Sequence, residues 1–498
     1  MQILRKLSLR GNIVKRYVSE TKKIWYLSGP AFFTLLCQYS LGAITQTFLG
    51  RLGTLQLAAF AIENNLIANF SFGVLLGMGS ALETLCGQAF GAGQEHILGI
   101  YMQRSWVILN ATSIILLFLY IFATPFLKLI HQSPEIAEPA GKLALLMIPQ
   151  LFAYAMNFPL AKFLQAQSKV MVMAAISAVA VIFHIFFSWL VILRFKWGVV
   201  GAAVVLNCSW WIIVVGQFVY VLSGRCGGSW TGFSSKAFTN LWGYVKLSLA
   251  SALMLCLEVW YYAAVIMIAG YLKNTKISVD ALSISLSLVG WTTMLTLGFY
   301  TSVSVRVSNE LGAGQPQAAK FAVKVAVLTS FSVGFLVSFF LLMLQRQYPL
   351  VFTNSKEVQE FVRKLTLPLV LSIIINSIQP VLSGVAIGAG WQALVAYVNI
   401  GCYYLVGVPL GIILGFKLHK GVKGIWYGML IGSTVQTFII FLLTYRTNWN
   451  KEVSVAGERL KQYGEPNDGN GVEENVTREM GPQRAMDDSS LELQAQST

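Results

Sequence analysis

Apolar residues run through this chain in long blocks, separated by short clusters of charge, glycine and other polar residues. The hydrocarbon core of a bilayer is about 30 Å thick and takes about 20 mostly apolar residues per helix. Marking such blocks between their breaks predicts twelve membrane-spanning helices, over 26–49, 55–86, 97–125, 138–164, 170–193, 198–222, 241–271, 278–306, 318–344, 360–388, 392–416 and 422–445. The blocks are too long for barrel strands and lack their alternation of period two. The predicted fold class is therefore an all-α integral membrane protein.

The order of the helices repeats. Gly91-Ala92-Gly93-Gln94 returns as Gly312-Ala313-Gly314-Gln315, 221 residues later, and Pro159 and Pro380 are the same distance apart. Gly50 and Gly270, and Gln38 and Glu258, are separated by 220, and the Gly198-Val199-x-Gly201 pattern reappears at Gly421 after 223. Matches at one offset and in one order predict two pseudo-symmetric six-helix lobes. An even number of spans per half makes the repeats parallel, related by an axis along the membrane normal. The predicted division is an N-terminal segment over 1–23, an N-lobe over 24–222, a linker over 223–240, a C-lobe over 241–446 and a disordered tail over 447–498. Twelve spans put both termini on one side, cytoplasmic if the basic N-terminus follows the positive-inside rule. The Asn475-Val476-Thr477 sequon is then out of reach of glycosylation.

Composition narrows the class. Hydrophobic residues make up 56% of the 498 positions and charged residues 11%, against about 25% charged in soluble domains, which excludes a soluble enzyme. The net charge of +15 does not indicate nucleic-acid binding, because it arises from missing acids. Ten of the 21 acidic residues lie in the last 52 positions, and Lys and Arg cluster only over the first 23 residues. The six cysteines are scattered through apolar runs without metal-ligand spacing and read as small hydrophobes. His96, His131, His184 and His419 are equally dispersed. No phosphate-binding loop, zinc-helix motif or nucleophile elbow is present. The expectation is no enzyme activity, no cofactor and no metal, so any work done on a solute draws on a gradient.

The informative residues are polar groups inside spans. Glu258 sits in the run Leu253 to Tyr262, near the middle of the seventh span. An acid there costs about 2.5–3.5 kcal/mol on insertion scales and faces an interior cavity. Two roles fit: a carboxyl that takes a proton from one side and releases it to the other, or a structural acid bonded to Tyr or Ser neighbours. Trp260, Tyr261 and Tyr262 adjoin it and are suited to a planar or cationic organic ligand. Glu83 and Glu310, each ahead of a Gly-Ala-Gly-Gln turn, and Asp280 read as helix-end groups, whereas Glu63 beside Asn64 and Asn65 either lines a cavity or is structural. Gln38 with Tyr39, Asn376 with Gln379, and Asn399 with Tyr403 are ligand-binding candidates as well as candidate helix-to-helix glue. The last pair, four residues apart, falls on one helical face.

Longer motifs carry a resemblance. Ala81-Leu82-Glu83-Thr84-Leu85-Cys86-Gly87-Gln88-Ala89, Ser304-Val305-Arg306-Val307-Ser308-Asn309-Glu310-Leu311-Gly312, Gln379-Pro380-Val381-Leu382-Ser383-Gly384-Val385-Ala386, Ala396-Tyr397-Val398-Asn399 and Thr447-Asn448-Trp449-Asn450-Lys451-Glu452 resemble signatures of plant multidrug and toxic compound extrusion (MATE) transporters. The likeness covers roughly residues 22–455 and is greatest to the branch associated with flavonoid and anthocyanin movement. It implies two lobes around a V-shaped cavity and antiport of an organic solute against protons, with the family's acid in span seven falling on Glu258. Many plant members carry a further acid in span ten, where this chain has Asn376, so a two-carboxylate mechanism does not carry over. The implied partners are a small organic substrate, protons and membrane lipid, with no obligatory protein partner. The implied location is the vacuolar membrane, with the plasma membrane second. A passive anion pathway on the same fold is the alternative, since members of this branch are associated with anion conduction.

Overall fold

The structure, a computed structural model, describes the backbone of residues 2–270 and 275–463, and side chains except those of 2–13, 262, 263, 265–267, 269, 270 and 275–279. It is helical throughout. The twelve predicted spans appear as α1 (Gln2–Gly50), α2 (Thr54–Gly91), α3 (Glu95–Ile121), α4 (Pro134–Leu146 with Ile148–Ala166), α5 (Val170–Arg194), α6 (Gly198–Leu222), α7 (Leu241–Gly270), α8 (Thr275–Gly312), α9 (Pro316–Met343), α10 (Lys356–Ala389), α11 (Gln392–Lys417) and α12 (Gly421–Arg446). Large apolar side chains such as Ile115, Phe118, Ile182 and Phe340 stay exposed on these helices. In water such a surface would aggregate; in a bilayer it meets lipid chains.

Three predicted boundaries move. The segment over 1–23 is no separate unit but the first turns of α1, and its Glu20 pairs with Arg306 of α8 at 2.9 Å. The fourth span is bent by 50° at Met147, where Pro149, with no N–H to donate, starts a new helix rather than extending the old one. The chain does not lose structure at 447: a further helix, α13 (Trp449–Tyr463), follows directly. The polar patterning that reads as disorder there is that of an amphipathic helix, with Trp449, Ala456 and Leu460 buried. The rest of the expected tail, 464–498, lies outside the described residues. The linker expected over 223–240 forms short 3₁₀ turns held by Gln103, which donates to Gly232 O and accepts from Ser234 N, each at 2.9 Å.

The repeat in the sequence is a repeat in packing. Within the first six helices α2 packs on α4, α3 on α4, α4 on α6, α5 on α6 and α1 on α5; the second six pair as α8 on α10, α9 on α10, α10 on α12, α11 on α12 and α7 on α11. Between lobes, α1 against α8 mirrors α7 against α2, and α2 crosses α8. The two Gly-Ala-Gly-Gln turns match in detail. Gly93 and Gly314 take φ of 73° and 69°, the left-handed conformation that closes a helix C-terminus. Gln94 N bonds Ala89 O at 2.9 Å, and Gln315 N bonds Glu310 O at 2.8 Å.

Glycines let the lobes close on this face. A Cβ at Gly91 would strike the Asn309 backbone and one at Gly312 the Gln88 backbone, positions that exchange under the repeat. Deeper in the interface, a Cβ at Gly77 would come within 2.6 Å of Ala252 and one at Gly298 within 2.8 Å of Ser28 O. Hydrogen bonds follow the same symmetry: Gln88 Nε2 donates to Gly388 O and Asn309 Nδ2 to Ala166 O, both at 3.1 Å. Helix α13 lies across this closed face. Its Arg459 donates to Gln88 Oε1 at 3.0 Å and to Ala389 O at 3.3 Å, while Arg104 of α3 donates to Tyr463 O at 2.6 Å. Gly312→Val is therefore expected to destabilise the closed arrangement by about 1–3 kcal/mol through overpacking, read as a lower unfolding midpoint of the purified protein. Gly29→Ala, where nothing lies within 4 Å of the new methyl, is the control expected to leave that midpoint in place.

Candidate functional site

The acid singled out in the seventh span gathers partners from two other helices. Gln379 of α10 donates through Nε2 to Glu258 Oε1 at 2.7 Å, and the same nitrogen reaches Ser383 Oγ at 3.2 Å and Tyr403 OH of α11 at 3.4 Å. Tyr261, one turn after Glu258, stacks on Tyr403 with ring centroids 4.4 Å apart, and its hydroxyl donates to Met429 O at 3.0 Å. Gly407 and Gly432 provide the space this hydroxyl occupies. The Tyr403 ring is thus clamped, and its hydroxyl stands beside the amide that holds the carboxyl.

Local backbone irregularities accompany this cluster. Pro380 cannot donate to the carbonyl four residues back, so α10 carries a gap in its ladder at Asn376, one turn before Gln379; Asn376 is buried there. In α11 the α-helical turn ends at Asn399, and Ile400–Gly407 is π-helical; such widened turns recur at functional sites. Asn399 and Tyr403, four residues apart across the change of helix type, are both fully buried and both meet α7, Asn399 at Met254 and Tyr403 at Tyr261. Asn399 donates to Met254 O at 3.0 Å and accepts from Gln436 Nε2 at 3.1 Å. Fully buried, it ties α11 to α7 and α12.

Gln38 and Tyr39 lie elsewhere. With Asn64, Asn65, Gln150, Tyr154 and Trp210 they line a cavity of about 390 Å³ between α1, α2, α4 and α6, which also meets α8 at Met294 and Leu297. The wall is amphipathic: amide groups alternate with aromatic rings, and no Lys, Arg or acid is among the described residues that line it. Its Asn64 and Asn65 belong to a second π-helical turn, Glu63–Ala68. Glu63 itself is not among the lining residues; it is buried, and its Oε1 has no hydrogen-bond partner among the described residues. Trp260 is 43% exposed and stacks parallel to Phe70 of α2 at 6.1 Å, across the lobe interface. The side chain of Tyr262 lies outside the described residues. The predicted residues therefore fall into two groups, one per lobe. Position 38 in the N-lobe and 258 in the C-lobe are equivalent under the repeat, but only the second carries an acid.

Sequence reasoning missed the cavity's Gln150, Tyr154 and Trp210, and also Lys162. The signal for Gln150 was available, an amide just after Pro149 in an apolar run. Lys162 pairs with Glu83 at 2.6 Å, both side chains buried, and its ammonium lies 5.8 Å from the Tyr300 ring of α8. Glu310 pairs with Arg306 at 2.6 Å. Both glutamates are ion-pair partners rather than caps, and Asp280 lies within α8, which begins at Thr275.

The MatE family profile matches residues 30–190 and 250–413 of this chain. Protein DETOXIFICATION 29 of Arabidopsis thaliana is 58% identical over 454 residues, 91% of each chain, and Protein DETOXIFICATION 27 of the same plant is 48% identical over 449 residues, 90% of this chain and 92% of its own. Among solved structures, the eukaryotic MATE transporter AtDTX14 superposes with a TM-score of 0.84 at 34% identity, covering 89% of this chain and 99% of that one. The bent form of the Vibrio cholerae MATE transporter VcmN shares the fold at 17% identity, with a TM-score of 0.76 over 90% of this chain and 99% of its own.

Proposed function

Because this chain belongs to the MatE family and is a multi-pass membrane transporter of the multidrug and toxic compound efflux class rather than an enzyme, we propose that it exports organic solutes from the cytosol in exchange for protons, with Glu258 as the coupling carboxyl. The observation that carries this reading is the Glu258–Gln379–Tyr403 cluster. A primary amide has both a donor and an acceptor end. Gln379 can donate to the carboxylate and, with its amide turned over, accept from the protonated acid. The hydrogen bond between α7 and α10 is thereby kept in both charge states, while its direction and its tie to Tyr403 of α11 change.

The cavity of the N-lobe would receive the solute. Rings at Tyr39, Phe72, Tyr154 and Trp210 offer flat faces for stacking, and Gln38, Asn64, Asn65 and Gln150 offer donors and acceptors for hydroxyls. That lining suits flavonoid- or anthocyanin-type metabolites, and organic cations or xenobiotics by ring–cation contact. Polar residues nearer Glu258, with Asn376 among them, would complete the path in the C-lobe. The reading places both termini and the linker in the cytosol, the closed glycine face with them, and the protein in the vacuolar membrane ahead of the plasma membrane. The cavity then opens towards an acidic lumen, where protonation of Glu258 favours solute release.

Energetically one proton suffices. A pH unit supplies about 1.4 kcal/mol per proton and 100 mV about 2.3 kcal/mol, enough for roughly one to three decades of accumulation. The test is proton movement in liposomes holding the purified protein under a pH gradient, on addition of a flavonoid glycoside and then of an organic cation. Substrate-triggered proton flux is expected. Chloride current without proton movement would instead establish the anion pathway, which the lack of cationic side chains in the cavity wall disfavours.

A further inference from the structure

We propose that the crevice between α9, α10, α12 and the start of α13 is a binding site for an anionic phospholipid. The crevice has a volume of about 260 Å³ and lies away from the solute cavity. Its walls are apolar, formed by Val327, Leu328 and Phe331 of α9, Leu382 of α10 and Phe441 of α12. Leu328, Phe441 and Tyr445 are 51%, 45% and 69% exposed. On helices of this hydropathy such exposure faces lipid, so the crevice opens sideways to the bilayer. From Lys320 to Phe331, α9 runs about 16 Å, the right order for a length of acyl chain lying against the helix.

The mouth has a different chemistry. Lys320 and Lys324 stand one helical turn apart on α9, just past the Gly312–Gln315 turn, and among the described residues neither joins an ion pair. Facing them are Thr444 at the end of α12 and Trp449 at the start of α13. Trp449 is 5% and Thr444 7% exposed, yet neither the indole Nε1 nor the hydroxyl Oγ1 has a hydrogen-bond partner among the described residues. Buried donors are rarely left unmade. Two lysines at the head of an apolar slot, with two unsatisfied donors buried in the residues that line it, call for an occupant with several anionic acceptor oxygens and a hydrocarbon body. A phosphodiester lipid has both. No acid is among the described residues that line the crevice, and Glu452 of α13 accepts from Trp391 Nε1 at 2.9 Å instead of lining it, so the mouth offers no carboxylate of its own for the cationic end of a zwitterionic head group. An anionic lipid is the better match.

The position gives such a lipid a structural consequence. Trp449 is the first residue of α13, and Arg459 of the same helix reaches both lobes through Gln88 and Ala389. A lipid held at Trp449 anchors the end of the helix that spans the closed face.

Native mass spectrometry of the delipidated full-length protein tests the site, with phosphatidylglycerol and phosphatidylcholine of identical chains as probes. Retained phosphatidylglycerol adducts are expected on the wild type, with phosphatidylcholine retained less. Lys320→Gln/Lys324→Gln is expected to weaken phosphatidylglycerol retention about thirtyfold. Trp449→Phe, which removes only the N–H, is expected to weaken it by a smaller factor. Lys320→Arg/Lys324→Arg keeps the charge and is expected to retain the adduct, which separates loss of the site from misfolding. Equal retention of the two lipids, survival of the adduct in the Gln pair, its loss in the Arg pair, or binding of inorganic phosphate in place of lipid would each overturn the assignment.

Discussion

Glu258→Gln is expected to eliminate substrate-triggered proton movement while the protein still exchanges solute down its gradient. The replacement is isosteric and keeps a polar group 2.7 Å from Gln379 Nε2. Two amides can bond to each other, so α7 and α10 stay connected and the fold should survive. What disappears is the group that changes charge. Without it a pH gradient does no work on the solute, and accumulation falls from the one to three decades estimated above to equilibrium. A pH-sensitive dye inside liposomes reads the proton, and labelled solute reads the exchange. Full proton-driven accumulation by the correctly inserted variant would remove Glu258 from the coupling role. Gln379→Leu offers a graded companion. It leaves the carboxyl but removes the donor, so rate and pH profile are expected to shift while some coupling persists.

The second large effect concerns stability. Lys162 and Glu83 form an ion pair at 2.6 Å with side-chain exposures of 6% and 1%. Removing one partner from such a pair leaves an uncompensated buried charge, at a cost of about 3–5 kcal/mol, whereas replacing both with neutral groups is often harmless. Lys162→Met and Glu83→Gln are each expected to lower the thermal midpoint of the purified protein by many degrees. The double variant should recover most of the loss. The pair joins α4 to α2 beneath Tyr300 of α8, so the single variants should also loosen the contact between lobes near the glycine face. Wild-type stability in Lys162→Met would mean that the contact contributes nothing net.

Much of the architecture was legible in advance because membrane helices are written in long runs. The twelve blocks correspond to twelve spans, and the offsets of Gly91 with Gly312 and Pro159 with Pro380 reappear as equivalent turns and as prolines inside equivalent helices. The failures were local and have local causes. The α13 helix was hidden because its stripe of Trp449, Ala456 and Leu460 is thin among charges, and its stability comes from docking on the lobes rather than from its own hydropathy. The bend at Met147 follows from Pro149, a helix start inside an apolar run that reads as continuous. Asn399 and Tyr403 do both face α7, but the π-helical turn that begins after Asn399 has no signature in the run of apolar and aromatic residues.

Sequence alone determined the class of the molecule: an apolar chain with so few charges has to lie in a membrane, and a repeat of six spans has to give two parallel lobes. It also determined that Glu258 is exceptional, since a lone acid in a run of Leu, Val and aromatic residues is costly wherever it points. Only the tertiary structure decided what that acid touches. Gln379 and Tyr403 lie 121 and 145 positions away in the chain, and no periodicity within a helix says which face of another helix it meets. The separation of Gln38 and Tyr39 from the Glu258 cluster, and the pairing of Lys162 with Glu83, were decided in the same way. Hydropathy sets how many helices cross the bilayer, but between helices surrounded by lipid there is little hydrophobic force to direct association. Steric fit at glycines and the satisfaction of buried polar groups decide it, and both are properties of the assembled lobes.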